Sequence, residues 1–493
     1  MVHISFGFDG CGSHRPYSGF AFIGSGIKTG NLIFGGVNVT KIEVHPEERD
    51  IPNKQEIVYK TKNVASAMHE RPWFLVDGIE KDENLRPIMQ FGNEDVRECQ
   101  ETPIYVEFNG DIMEFFVQPH FSQLDGKLVK RLQGRASAYC LLCSVSRKDA
   151  HLIELILDGF PMDITTEDIR SNYEFWRQDD DEEHKINFKK IDPELRLQVT
   201  HEPMVGNHIQ IACYLPCLHC TLRGQSWCCD LALRNDSNKY EYFVEQAPEV
   251  KEAHKAAVKQ YQEFSVAAIG RALMTPGGVK GGTTDDGNTA RVFFSPEMRD
   301  AVCSIMVKDD PAFKRTFKKK LQYLHVILSI VNSDRLVDVD AYEEYCKDFA
   351  VYVRRSLPWA QFSPTMHALI SHSPEIIRNN SNRGLLSLSE EGSEGSHKVI
   401  KHLRDKGARK TGPEDNLKDV VKKMWIMTDK TVQSYKKVLN CTFCGEINHT
   451  VRSCPKKKPV QKTQDDLIID RLTIEEDDEE GGQEDKQDNA GDN

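Results

Sequence analysis

Val2-His3-Ile4-Ser5-Phe6-Gly7-Phe8-Asp9-Gly10-Cys11-Gly12 opens the chain, and its reading decides the fold. Val2, Ile4, Phe6 and Phe8 alternate with His3, Ser5 and Gly7, the period-two pattern of a half-buried strand. The pattern stops at Asp9-Gly10-Cys11-Gly12, so an acid stands at the strand's end. A chain that starts on a core strand at residue 2 reads as one lacking an upstream portion. Working outward, Ile, Val, Tyr and Phe dominate 18–34, 73–76 and 104–117 between Gly and Asn turns, which predicts further strands.

From about Thr165 the texture becomes helical. Ala257, Tyr261, Phe264 and Ala268 recur at helical spacing, as do Phe313, Phe317, Leu321, Leu324 and Leu328, and Tyr342, Tyr345, Phe349 and Tyr352. Ser295-Pro296 reads as a cap and first-turn proline before Met298, Val302 and Ile305. The Gly-rich interval 276–287 is a loop, with no Gly-Lys-Ser/Thr to make it a phosphate cradle. After a break at Asn379-Asn380-Ser381-Asn382, 397–423 reads as a basic helical segment whose lysines could track phosphates or merely face solvent.

The chain has 493 residues, 39% hydrophobic, 9% aromatic and 28% charged, the balance of a polar-surfaced globular protein. Net charge is −12, of which −11 lies in 464–493, so the rest is near neutral and a polyanionic partner is not excluded. No run approaches the ~20 apolar residues of a bilayer span, and the N-terminus lacks a signal-peptide pattern. Fourteen cysteines, several in C-x-x-C pairs, favour metal ligation over a disulfide scaffold.

The sharpest local motif is Cys441-x2-Cys444-x4-His449-x4-Cys454, three thiolates and an imidazole that would close a tetrahedral Zn²⁺ shell. Its spacing is that of a zinc knuckle, with Arg452 and Lys456 to Lys458 placed for phosphates. Cys213, Cys217, His219, Cys220, Cys228 and Cys229 leave a further zinc site open beside ordinary buried thiols. A carboxylate set is also open: Asp9 at a strand end, Asp125 after the β-rich stretch, and Glu391 at the head of the basic segment. Two-metal phosphodiester chemistry needs carboxylates converging from separate elements.

Several segments carry a resemblance in a fixed order. Phe8-Asp9-Gly10-Cys11-Gly12, Asp125 to Leu132 followed by Tyr139-Cys140-Leu141-Leu142-Cys143, and Gly287-Asn288-Thr289-Ala290-Arg291 with Asp300 to Cys303 come first. His367-Ala368-Leu369-Ile370-Ser371-His372 and Glu391-Gly392-Ser393-Glu394-Gly395-Ser396-His397-Lys398 follow. Together they resemble the catalytic subunit of the V(D)J recombinase and its Transib transposase relatives. The resemblance implies that Asp9, Asp125 and Glu391 bind catalytic Mg²⁺ or Mn²⁺, with Glu390 and Glu394 leaving the register of the third acid open. It implies one structural Zn²⁺ on Cys140, Cys143, His367 and His372.

The fold class expected is α/β: a split ribonuclease-H-like core with a large, mostly helical zinc-binding insertion and a C-terminal zinc knuckle. The expected units are 1–135 for the first part of the core, 136–375 for the insertion, 376–435 for the core's C-terminal helices, 436–460 for the knuckle and 461–493 for a disordered acidic tail. The function implied is DDE-type DNA recombination or transposition, with nicking, hairpin formation and strand transfer. DNA, a homodimer in the full-length form and an accessory subunit of the RAG type are the implied partners, with a nuclear location and no membrane. The rival is a catalytically inactive, domesticated nucleic-acid-binding protein acting through its knuckle.

Overall fold

The computed structural model describes residues 2–11, 32–44, 56–60, 70–77, 81–108, 111–121, 124, 126–135, 139–140, 142–143, 145–146, 149–150, 152–158, 164–177, 198–206, 215–237, 287–307, 310–409, 412–429, 432 and 462–474. The opening stretch is a strand, β1 (Val2–Cys11). It pairs antiparallel with the long β2 (Leu32–Val44), Asp9 standing opposite Phe34. The far edge of β2 carries two strands in succession, β3 (Glu56–Lys60) and β4 (Arg71–Asp77).

A 20-residue helix, α1 (Asp82–Glu101), follows. Its buried Leu85, Ile88, Met89, Gly92 and Val96 recur at helical spacing, a signal the strand-rich expectation for this region passed over. The separate hairpin β5 (Ile104–Phe108) and β6 (Asp111–Phe115) leads to β7 (Val117–Phe121). β7 returns to the other side of β1 and pairs with it in parallel, from Val2 opposite Val117 to Phe6 opposite Phe121. The strand order is therefore β3-β2-β1-β7, with β4 beside β2.

Two neighbouring residues of β2 show how the layers arise. Successive strand side chains point to opposite faces. Ile33 packs with Leu85, Ile88, Met89 and Val96 of α1 and with Leu128, Val129 and Leu132 of α2 (Gly126–Leu132). Phe34 packs on the opposite face with Ile400, Leu403, Val420 and Met424. Each is fully buried, worth roughly 1.5–3 kcal/mol of transfer free energy. Helices thus cover both faces of one sheet.

The remaining helices form a second, larger core. They are α3 (Ile153–Asp158), α5 (Cys217–Ser237), α6 (Gly287–Phe294), α7 (Arg299–Met306), α8 (Pro311–Val331) and, after β8 (Leu336–Val337), α9 (Val339–Ser356), whereas Arg170 of α4 (Thr166–Arg177) donates to the Pro203 and Val205 carbonyls. Phe313, Phe317, Leu321, Leu324 and Leu328 are the buried stripe of α8, as their spacing predicts. Asp310 caps that helix by accepting from the Ala312 and Phe313 amides. The helix expected at Ser295-Pro296 starts instead at Arg299, after a turn. The stripe at 257–268 lies outside the described residues.

The helix α10 (Pro364–His367) runs through a π turn, Ala368–His372, into α11 (Ser373–Asn379). A second acid-headed helix, α12 (Glu391–His402), ends in another π turn, Leu403–Gly407, before α13 (Pro413–Thr428). The basic segment is therefore two helices. α12 packs across β1 and β2, and α13 packs on β4.

Two expected boundaries move. Residues 198–206, placed in the insertion, return to the sheet layer: Met204 and Val205 join its core, and Asn93 of α1 donates to the Met204 carbonyl at 3.0 Å. Gly134 makes that return possible. It sits at φ +73°, where a Cβ would lie 2.2 Å from the His201 carbonyl oxygen, so only glycine fits. Within the tail expected to be disordered over 461–493, the first residues form α14 (Gln464–Leu472) and β9 (Thr473–Ile474), and 475–493 lie outside the described residues. A capping box between Thr463 and Asp466 starts α14, and β9 pairs with β8. Net charge misled here, because Asp465 is taken up internally by Arg299.

Candidate metal centre

Two short pieces of chain 224 residues apart meet at the edge of the helical core. Cys140 and Cys143 lie on a tight loop clasped by backbone pairing of Tyr139 with Ser146. His367 and His372 come from the π-turned helix. In an α-helix, residues five apart are rotated by about 140° from one another. The wider turn at Ala368–His372 brings the two imidazoles onto one face, their ring centroids 5.2 Å apart.

The ligand atoms of Cys140, Cys143, His367 and His372 all lie within 4.8 Å of one another, the one such group among the described residues. The Cys143 Sγ is 3.3 Å from His367 Nε2. On the other side of that ring, Nδ1 is 3.2 Å from the Ala150 carbonyl, which must accept a proton from it. The lone pair of Nε2 is thereby aimed at the sulfurs, the outer hydrogen bond that orients a metal-ligating histidine. His367 and His372 are fully buried, and Cys140 nearly so.

Donor chemistry fits zinc. Zn–S of ~2.3 Å and Zn–N of ~2.0 Å give tetrahedral edges of roughly 3.3–3.8 Å, so the four atoms need only a small inward movement. Protonation tells the same story. Burial pushes the Cys140 thiol up, but hydrogen bonds from Cys143 and His372 and the charge of both imidazoles outweigh it and hold Cys140 well below the usual thiol range. Cys143 is pushed far up by its hydrogen bond to Cys140, with burial adding. The cluster thus favours a thiolate at Cys140, the form in which sulfur ligates a metal. Buried Arg135 and Lys130 flank the site; burial holds Lys130 down to about 8 against the pull of Cys140.

The other cysteines do different work. Cys217, Cys220, Cys228 and Cys229 are fully buried in α5. Cys217 donates its thiol proton to the Leu215 and Leu385 carbonyls at 3.4 and 3.7 Å, and burial pushes Cys217, Cys220 and Cys228 well up. They are core thiols, and no further zinc group forms among the described residues. Cys213 lies outside them, as do Cys441, Cys444, His449 and Cys454 of the knuckle.

Asp9 is on β1, opposite Phe34, and Phe34 is packed under α12. Asp125 lies outside the described residues, between Phe121 at the end of β7 and Gly126 at the start of α2. Glu391 begins α12, and its mostly buried carboxylate accepts from the Arg291 guanidinium of α6. Burial pushes the Glu391 carboxyl up, Arg291 pulls it down, and nearby Glu390 pushes it up again.

Glu390 is committed elsewhere. Its Oε1 accepts from the His219 amide and from His219 Nδ1, both at 3.0 Å, which ties it to the first turn of α5. Glu394 is on α12 one turn beyond Glu391. One acid escaped the sequence reading. Glu70, just before β4, is fully buried and accepts from Ser393 and Ser396 of α12 at 2.6 Å each. In His69-Glu70-Arg71-Pro72 nothing distinguishes it from a surface turn. Burial, only partly offset by the two hydroxyls, pushes its carboxyl up to about 7.

No helix among the described residues is long and apolar enough to cross a membrane. No family model matches the chain, and no curated protein matches it.

Proposed function

We propose that the chain is a metal-dependent DNA-cleaving and strand-transferring enzyme of the DDE type, built on a ribonuclease-H-like core. The observation that carries this reading is a placement. β1 bears Asp9; β7, its parallel neighbour, leads within four residues to Asp125; α12, which begins at Glu391, packs across β1 and β2. Two-metal chemistry requires acids that converge from separate elements, and Asp9 and Glu391 belong to elements that pack together while Asp125 follows a strand of the same sheet. The ordered resemblance to the V(D)J recombinase and Transib transposases supports the same three residues.

The chemistry of Glu391 fits a cation. Its carboxyl stays above the usual carboxylate range even with Arg291 paired to it, because burial outweighs the guanidinium and nearby Glu390 adds to the rise, and a bound cation would relieve both. Divalent ions held by Asp9, Asp125 and Glu391 would supply Lewis-acid charge at the scissile phosphate. The acids take no nucleophilic part: water nicks one strand, and the freed 3′-hydroxyl attacks a second phosphodiester. Glu70, through Ser393 and Ser396, bolts the acid-bearing helix to the sheet. The Cys/His cluster ties the loop that follows α2 to the helix that precedes α12, and a zinc ion there would fix the second acid's segment relative to the third's.

The test is Mg²⁺- or Mn²⁺-dependent nicking of duplex DNA by the full chain. Asp9→Ala, Asp125→Ala and Glu391→Ala should each abolish nicking while DNA binding persists. Nicking by the Asp125 variant would sink the reading. Nicking that survives in Glu391→Ala and is lost in Glu394→Ala would move the third acid one turn along α12, Glu390 being occupied by His219.

A further inference from the structure

We infer that the outer face of α12 and its π turn is a track for the phosphate backbone of duplex DNA, carried by Lys398, Lys401 and Lys406. Between Lys398 and Arg409 the sequence holds five Lys or Arg against one acid, Asp405, in a chain of net charge −12. The structure divides these cations. Arg409 is held by Asp419 at 2.9 Å and by Asp415, and on the next helix Lys418 pairs with Glu414 at 2.7 Å. Lys423 donates to the Gly407 carbonyl. Lys398, Lys401 and Lys406 are exposed and take no acid partner among the described residues.

These three share a line. The inner face of α12 is occupied by Ser393, Ser396, Ile400 and Leu403, all buried against the sheet side. Steps of three or four residues from Glu391 reach Glu394, Lys398 and then Lys401 with exposed His402. From Lys401 to Lys406 is five residues, and the π turn Leu403–Gly407 keeps that pair in register as the other π turn keeps the histidines. At ~1.5 Å rise per residue the line runs about 12 Å, the axial span of about three phosphates on one DNA strand. It begins at the proposed third acid, so a strand lying on it would reach that acid directly. The occupant rests on the reading of the chain as a DNA-acting enzyme; the line of unpaired charge does not.

The experiment is equilibrium binding of a fluorescent duplex of about 20 base pairs to the full zinc-loaded chain without added magnesium, over a salt range of about 50 to 200 mM. K398Q/K401Q/K406Q should weaken binding about 10- to 100-fold and make the slope of log K against log salt shallower by about 2 to 3. R97Q/R315Q/R355Q, an equal loss of exposed charge on other helices, should leave the slope unchanged. Equal slopes for the α12 variant and the unaltered chain overturn the track, whether the lysines then serve the chain's own acidic C-terminus or only solvent. An equal fall in both triple variants overturns it as general charge, and a chain that binds no duplex overturns it outright. Failure of nicking with the slope change present would sink the catalytic reading alone.

Discussion

Buried charge is handled in opposite ways in two regions of this molecule. In the helical body, Asp465 meets a full counter-charge: Arg299 reaches both its oxygens, Gln322 donates at 2.9 Å, and His325 stands 4.0 Å away. The Cys/His cluster is likewise a closed set, four ligand atoms within 4.8 Å of one another. At the head of α12, burial prevails instead: it pushes the carboxyls of Glu70 and Glu391 up, although Ser393, Ser396 and Arg291 donate to them. The first arrangement is a fastening, complete in itself. The second holds its acids' protons more tightly than water does, so its charge changes with pH.

The largest effect should come from the fastening. Cys140→Ser or His372→Ala should prevent recovery of soluble folded protein and lower zinc by one per chain, since structural zinc supplies ~10 kcal/mol or more of folding free energy. Zinc content and melting equal to the unaltered chain would dissolve the contrast at its stronger side.

Next is Asp465→Ala, which strands Arg299 in the core and should cost roughly 3–5 kcal/mol. The cost should be smaller in Arg299→Met combined with Asp465→Leu, because replacing both partners leaves no uncompensated charge. A thermal-melt cycle reads this directly, and additive single effects would show that the pair is not coupled.

Glu70 tests the second arrangement through pH. Its folded carboxyl at about 7 lies above the ordinary 4.5, so the folded state holds the proton more tightly. That contribution is fully present below about 4.5 and is lost as pH rises to about 7, a swing of roughly 3 kcal/mol at ~1.4 kcal/mol per unit. Glu70→Gln should therefore be the more stable form above pH ~8, and its stability should fall less between pH ~5 and ~7. Parallel stability curves for the two proteins would place Glu70 in contact with water and remove it from the comparison.

The smallest effect marks the baseline. Lys347 and Glu343, an i,i+4 pair 2.7 Å apart on the surface of α9, should be worth about 0.5 kcal/mol or less in Lys347→Ala. A larger loss would mean that surface pairs here matter as buried ones do.

Much of this was legible from residues, but unevenly. β1 was readable because strict alternation has few alternatives, and α8 because five apolar residues hold one stripe. α1 is less legible: Leu85, Ile88, Met89 and Val96 repeat at helical spacing, but Pro87 interrupts the first turns with a residue that disfavours helix interiors. The joining of Cys140 and Cys143 to His367 and His372 could not be read from spacing at all. The pairs are far apart in sequence, and an i,i+5 histidine pair faces two directions on any ordinary helix. Glu70 was invisible because burial of a lone acid depends on Ser393 and Ser396, more than 320 residues away.

The π turn between His367 and His372 also sets a phase. It is the shape a helix takes when one residue too many is held within a turn. Deleting Ser371 would leave the histidines four apart, still on one face of a regular helix and still able to chelate. Everything downstream would then be turned by about 100° and drawn back by ~1.5 Å. Pro374, Ile376 and Ile377 would leave their pockets, and the strain would pass along the short connection to the helix that begins at Glu391. A chain with that deletion should still bind zinc at the cluster and lose the seating of α12, so the spare residue acts less as a ligand spacer than as a gear tooth between the cluster and that helix.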